Sequence, residues 1–335
     1  MCRRRWAPHR PRRRRRGVSV PPRRCVRRWH GRLPRSGPCR CCHGDLYALP
    51  IVPLPLPNST SYAAFVQRTN FVPVQGVRSF IVFSLLVVAA LWVVVLPYIL
   101  NATEPPGWLL LVGRWIPALA SLVVVLWLVP LRVRLPELWG LSVRSWSRTL
   151  IWAGLAFAAV MVAQLLQIVV GVLLGLARWA PAEGWILALV GSVLPITLVT
   201  MLSTLGEEVA WRGHLAQALA HLGFWRSTIL IALVWMVWHL PLVVAYAVAD
   251  VMPLAANLAA NLGIVFLAPL LAAVAIRGGS IWPAVVAHAV PPFTGLLVTE
   301  ASPWFHLLFV AVMLLFGIAL APRSGSAEAE QAAPF

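Results

Sequence analysis

Eight long apolar runs follow one another along most of the chain, separated by short polar loops. Each has about 18 to 28 residues, which is enough for an α-helix to cross the hydrocarbon core of a bilayer. The pattern predicts an all-α, polytopic membrane protein, a bundle of about eight transmembrane helices. The predicted helices are 79–100, 109–130, 149–176, 185–205, 224–248, 254–275, 281–299 and 304–321.

Composition agrees with this class, because 60% of residues are hydrophobic and only 11% are charged. The net charge of +18 is concentrated in residues 1–48, which are rich in Arg and Pro and hold all five cysteines. We therefore predict a disordered N-terminal extension there and expect no nucleic-acid partner for the main domain. Residues 49–78 are interrupted by prolines and predict a linker. The transmembrane domain would cover 79–321, and 322–335 would form a disordered tail.

The distribution of arginine predicts the orientation of the bundle in the cell membrane. If the N terminus is cytoplasmic, most arginines of the membrane domain fall in loops on that side. The opposite side then carries only Arg178, with Arg114 near the outer end of the second helix. This asymmetry predicts that both termini are cytoplasmic and that the fourth helix ends on the cytoplasmic side.

Two adjacent carboxylates, Glu207 and Glu208, stand at that helix end in a chain with few acids. Ionisable groups beside hydrocarbon are costly and by default indicate a functional site. If the helix continues, Glu208 and Arg212 share a face and can form an ion pair. Glu207 would point about 140° away from Arg212 and be available for chemistry. A stripe of hydroxyl residues on the preceding turns would face the bundle interior: Thr197, Thr200 or Ser203, and Thr204.

Two histidines lie within later apolar runs. His239 follows Trp235 by four residues in the fifth run, and His288 lies in the seventh. Two histidines and a carboxylate can bind a water molecule and abstract its proton, or can ligate a divalent metal such as zinc. His214, His221 and His306 lie near the ends of runs, where we expect them to reach the membrane interface.

These residues resemble the motifs of the CAAX protease and bacteriocin-processing family of intramembrane proteases, which includes the type II CAAX prenyl endopeptidases. The first motif, two glutamates followed by three residues and arginine, is intact as Glu207, Glu208 and Arg212. The second, an aromatic residue four before a histidine, is present as Trp235 and His239. The third is a histidine followed four residues later by asparagine.

In this chain the third motif has His288 but Pro292 in place of the asparagine. The resemblance implies eight helices and hydrolysis of a peptide bond by activated water. It implies that Glu207 is the general base, assisted by His239, and that His288 binds water, metal or the oxyanion. Glu208, Arg212 and Trp235 would support the site; any metal would be held by His239, His288 and Glu207. Pro292 has no side-chain donor, so another group, of which Thr294 is the nearest, would have to replace the asparagine.

The predicted function is therefore an intramembrane endopeptidase, with a (metallo)protease variant left open. Its substrate would be a membrane-associated or hydrophobic peptide or protein, cleaved on the cytoplasmic side. Two alternatives stay open. One is a non-catalytic membrane immunity or interaction protein that retains the fold, which Pro292 suggests; the other is a small transporter with Glu207 as its proton site. The acidic pair could also be an ordinary interfacial ion pair at a helix end.

Overall fold

The computed structural model describes residues 73–128 and 134–322. The predicted N-terminal extension (1–48), the linker as far as residue 72 and the tail from residue 323 lie outside these ranges. The linker prediction overlaps the first helix, which already begins at Pro73. All described residues belong to one compact unit of the chain, residues 55–335.

The described part is helical almost throughout. In chain order its elements are α1 (Pro73–Leu100), α2 (Gly107–Gly113), α3 (Ile116–Leu128), α4 (Leu135–Leu138), α5 (Trp146–Leu173), β1 (Arg178–Trp179), α6 (Trp185–Glu208), a π-helix (Val209–Leu215), α7 (Ala216–Ala218), a 3₁₀ turn (Ala220–Leu222), α8 (Gly223–Val248), α9 (Leu254–Gly278), α10 (Trp282–Ala289), a second 3₁₀ turn (Thr294–Leu296), β2 (Val298–Thr299) and α11 (Pro303–Leu320). The two short strands pair antiparallel, Arg178 with Thr299 and Trp179 with Val298.

Seven helical segments are long and apolar enough to cross a membrane, counted over the described residues. They are Gln75–Leu100, Gly107–Leu128, Trp146–Leu173, Trp185–Ala218, Ala220–Val248, Leu254–Gly278 and Pro303–Leu320. The predicted all-α, polytopic class is confirmed, but the spanning helix predicted at 281–299 is wrong. Only the eight residues of α10 are α-helical there, because Val290 leaves the helix ahead of Pro291 and Pro292.

The fourth span does not end at the acidic pair. It continues through the π-helix to Ala218, so Glu207 and Glu208 lie inside it. The predicted helix end at residue 205 is therefore corrected, because the helical segment continues for eleven positions beyond Glu207. Both carboxylates are enclosed by packed helices, where a charged side chain needs a partner.

The second span is broken near its middle. α2 ends at Gly113 and α3 begins at Ile116, and the Trp115 N–H donates to the Val112 carbonyl at 3.0 Å. Pro117 explains the break, because it has no N–H to donate to the carbonyl four residues earlier. Arg114 is thus placed at an interruption within the span rather than on a regular helix.

α9 lies at the centre of the bundle and packs against α5, α8, α10 and α11. Small residues permit these close contacts, as is usual between membrane helices. A Cβ atom added at Gly317 of α11 would lie 2.8 Å from the Pro269 Cβ of α9. This packing fixes α8 and α10 relative to each other, and those two helices carry the predicted histidines.

Candidate active site

Trp235 on α8 contacts four of the residues that the sequence predicts to form the site: Glu207, Arg212, His239 and His288. Its indole Nε1 donates to Glu207 Oε2 at 2.7 Å, and its carbonyl oxygen lies 3.0 Å from Nδ1 of His239. Its ring packs edge to face against His288, with the ring centroids 5.1 Å apart. The guanidinium carbon of Arg212 lies 4.4 Å from the centroid of the same ring. Four segments, α6, the π-helix, α8 and α10, therefore converge on one indole.

Glu207 is fully buried, and two side chains contact its carboxylate. Helical geometry had predicted that this carboxylate would be free. Besides the indole of Trp235, the Nε of Arg114 lies 3.3 Å from Glu207 Oε1. Sequence reasoning placed Arg114 near the outer membrane surface and missed this contact. An arginine within an apolar run was the signal that could have found it.

Gly206 permits the approach of Arg114. A Cβ atom at position 206 would lie 2.6 Å from the Arg114 carbonyl oxygen and 2.8 Å from Trp115 Cα. Both are backbone atoms that cannot rotate away. The glycine immediately before the acidic pair therefore brings the broken second span against Glu207.

We expect Gly206→Ala to destabilise the protein by about 1–3 kcal/mol, the usual result of overpacking, and to slow any reaction that needs Arg114 beside Glu207. Gly191→Ala in the same helix is the matched control, because no atom lies within 4 Å of its added Cβ. That change should be neutral or stabilising, since alanine is the better helix former. Unfolding in mixed detergent would compare the two. Equal stability of both variants would contradict this role for Gly206.

Glu208 accepts hydrogen bonds from two other residues of the site, Arg212 and His288. Its Oε1 accepts from Arg212 Nη1 at 2.9 Å and from His288 Nδ1 at 2.8 Å. The predicted ion pair between Glu208 and Arg212 is thus present and completely enclosed, with exposures of 0% and 3%. His288 is 11% exposed and adds a second donor to the same oxygen. Glu208 therefore couples the orientation of α10 to that of the π-helix.

The π-helix from Val209 to Leu215 begins directly after Glu208. All seven of its residues are buried. Gly213 allows this, because a Cβ there would lie 2.6 Å from the Trp139 carbonyl group. Single π-turns within α-helices are frequent at functional sites. Here the wider turn still places Arg212 against Glu208.

The hydrogen bonds assign the protons on the two histidines. A carbonyl oxygen can only accept, so Nδ1 of His239 donates to Trp235 and, in the neutral ring, Nε2 keeps its lone pair. Nδ1 of His288 donates to the Glu208 carboxylate in the same way. Each ring is fixed through Nδ1 and presents Nε2 for other contacts. This is the arrangement by which a second partner orients a catalytic histidine.

The segment after His288 is held by Gln164 of α5. The Gln164 amide nitrogen donates to the Pro291 carbonyl at 3.3 Å, and its oxygen accepts from the Phe293 N–H at 2.8 Å. Pro292 lies exposed between these contacts. Sequence reasoning missed Gln164, because nothing local links residues more than a hundred positions apart. Its role here is to fix the course of the chain next to His288.

Other polar residues of the bundle have structural partners. Asn257 and Asn261 donate to the Val243 and Met236 carbonyls of α8 at 3.1 Å each. His221 and His306 are exposed, but His214 is fully buried with its Nδ1 3.1 Å from Ser121 Oγ. The prediction that His214 reaches the membrane interface is therefore wrong, because the packed helices enclose its ring. Of the hydroxyl stripe on α6, three members are buried: Thr197, Ser203 and Thr204.

A metal held by His239, His288 and Glu207 stays a prediction. Within 73–128 and 134–322, no three His, Cys, Asp or Glu residues are grouped as a metal site would require. Glu207 faces the cation of Arg114 and the indole of Trp235, and Nδ1 of His288 donates to Glu208.

Comparison with known proteins finds one similarity, and it covers the region that contains this site. Residues 188–291 match the family model described as "Type II CAAX prenyl endopeptidase Rce1-like". The matched region runs from α6 to the loop after α10 and contains the motif residues Glu207, Glu208, Arg212, His239 and His288. The predicted resemblance is confirmed over this region and supports membership of the CAAX protease family. No curated protein and no solved structure matches the chain.

Proposed function

We propose that this multi-pass membrane protein is an intramembrane endopeptidase that hydrolyses a peptide bond of a membrane-associated or hydrophobic peptide. The observation that carries the proposal is the convergence of Glu207, His239 and His288 on Trp235. A carboxylate and two oriented imidazoles in one enclosed place are the groups needed to activate water. The Rce1-like match supports a protease rather than a transporter.

Glu207 is the general base in this proposal. The Trp235 indole donates to one oxygen of its carboxylate, and the guanidinium of Arg114 lies beside the other, which favours the charged form that a base needs. His239 presents Nε2 to the same water or to the leaving group. His288 orients the substrate or water through its own Nε2. Glu208 and Arg212 support the site by fixing His288 and the π-helix.

The proposed orientation places both termini and the active site on the cytoplasmic side. It rests on the arginine asymmetry of the loops. Because Glu207 is fully enclosed by the helices, substrate would have to enter the bundle to reach it. A hydrophobic or lipid-modified peptide is the substrate chemistry that these apolar surroundings accommodate.

Cleavage of a lipidated or hydrophobic peptide by reconstituted protein tests the proposal. Wild type is compared with Glu207→Ala and with His239→Ala. We expect wild type to cleave and His239→Ala to lose about 10²–10⁴ of the rate, the usual contribution of a general acid–base group. Equal cleavage by all three proteins would overturn the proposal. A wild type without activity that still binds a membrane partner would favour the non-catalytic immunity or interaction protein.

A further inference from the structure

We propose that Arg114 is a further catalytic residue, which binds the oxyanion of the tetrahedral intermediate. It would replace the missing side-chain donor at Pro292. This inference deepens the proposed function and rests on it. Arg114 lies outside the Rce1-like region of 188–291 and outside all three sequence motifs.

The position of Arg114 distinguishes it from the other cations of the site. Its side chain is 31% exposed, whereas Arg212 is 3% exposed and enclosed by Glu208. Its Nε faces Glu207 at 3.3 Å, and Nη1 makes a long contact of 3.5 Å with Ser203 Oγ. Within the described part of the chain, Nη2 makes no hydrogen bond. A guanidinium has five N–H donors in a planar fork, so several remain for a ligand.

The amide side chains near the site already form hydrogen bonds with backbone groups. Gln164 is bonded through both ends of its amide to the loop around Pro292. Asn257 and Asn261 donate to backbone carbonyls of α8. Pro292 itself offers no donor. Of these groups and Arg114, only Arg114 combines a positive charge, partial exposure and direct contact with the proposed base.

The movement of charge during the reaction fits a cation in this position. Glu207 takes a proton from water while the water oxygen bonds to the substrate carbonyl carbon and the π electrons move to the carbonyl oxygen. Glu207 thereby becomes neutral, and the negative charge moves to the oxyanion. When the intermediate collapses, the carbonyl re-forms, the C–N bond breaks and the proton on Glu207 passes to the leaving amine. One guanidinium beside Glu207 can stabilise the negative charge before and after the proton transfer, without leaving a charge unpaired in the membrane.

Kinetics of Arg114→Ala, Arg114→Lys and Arg178→Ala test this role. Removing one oxyanion donor costs about 10²–10³ in kcat, so Arg114→Ala should show that loss with little change in KM. Arg114→Lys should recover part of it, because lysine keeps the charge but not the fork. Arg178→Ala is the matched control, since Arg178 forms an exposed ion pair with Glu300 and should leave kcat unchanged. Near-ultraviolet circular dichroism would verify that each variant is folded.

A second measurement separates oxyanion binding from mere positioning of Glu207. A peptide phosphonate, whose charged oxygens imitate the tetrahedral intermediate, should bind wild type and lose affinity in Arg114→Ala by the same factor as kcat/KM. Unchanged phosphonate affinity together with a lower kcat would show that Arg114 only positions Glu207, which overturns the inference. Wild-type kcat in Arg114→Ala would also overturn it, and if Glu207→Gln is inactive in the same assay, the proposed function survives. Wild-type kcat in Glu207→Gln would overturn both.

Discussion

Replacing Glu208 with alanine is expected to lower the free energy of unfolding by about 3–5 kcal/mol, the usual result of removing one partner from a buried ion pair. Arg212 would be left charged and enclosed, and Nδ1 of His288 would lose its acceptor. Cleavage should be lost together with stability, because both α10 and the π-helix depend on this carboxylate. Unfolding in mixed detergent, followed by tryptophan fluorescence, would measure the change.

The exposed ion pair between Arg134 and Glu137 supplies the control for Glu208. Its atoms are 3.2 Å apart, but the side chains are 80% and 39% exposed. Glu137→Ala should therefore change the free energy of unfolding by less than about 1 kcal/mol. Combining Glu208→Leu with Arg212→Leu should be less damaging than Glu208→Leu alone, because no buried charge is then unpaired. A Glu208→Ala protein as stable as Glu137→Ala would contradict the anchoring role.

The sequence predicted those features of the site that depend on local spacing. Residues four apart on a helix are neighbours, so the contact of Glu208 with Arg212 followed from the motif alone. The same spacing places His239 one turn after Trp235, where its ring meets the Trp235 carbonyl. Seven of the eight predicted spans correspond to long apolar helices in the described residues, because the length needed to cross a bilayer is a simple physical limit.

The features that the sequence did not predict depend on packing between distant segments. Arg114 meets Glu207 only because Pro117 breaks the second span and Gly206 lets the break approach α6. Gln164 holds Phe293 across 129 positions of the chain. Hydropathy also placed the end of the fourth helical segment too early. Buried polar residues such as Arg212 and His214 lower the mean hydropathy of a window, and a low mean is typical of a loop. The prediction of a spanning helix at 281–299 was wrong because hydropathy takes no account of the effect of Pro291 and Pro292 on the backbone.

Glu207→Gln is expected to abolish cleavage while leaving the fold intact, with a loss of at least about 10²–10⁴ in rate, the range for a general base. Glutamine has nearly the same shape as glutamate, and its amide oxygen can still accept the hydrogen bond from Trp235. It cannot accept a proton from water at neutral pH, so the first step of the proposed reaction would fail. Rates of peptide hydrolysis and near-ultraviolet circular dichroism, measured on the same preparations, would separate chemistry from folding.

This combination distinguishes the two adjacent glutamates, because Glu208→Ala should lose stability and activity together while Glu207→Gln should lose activity alone. Glu183→Gln, at an exposed position just before α6, is the matched control and should cleave like wild type. A Glu207→Gln protein that is unfolded would assign Glu207 a structural role in holding Arg114 and Trp235. A folded Glu207→Gln protein with wild-type rates would show that water is activated elsewhere. Loss of cleavage in a folded protein is the result that the enclosed contact between Glu207 and Trp235 predicts.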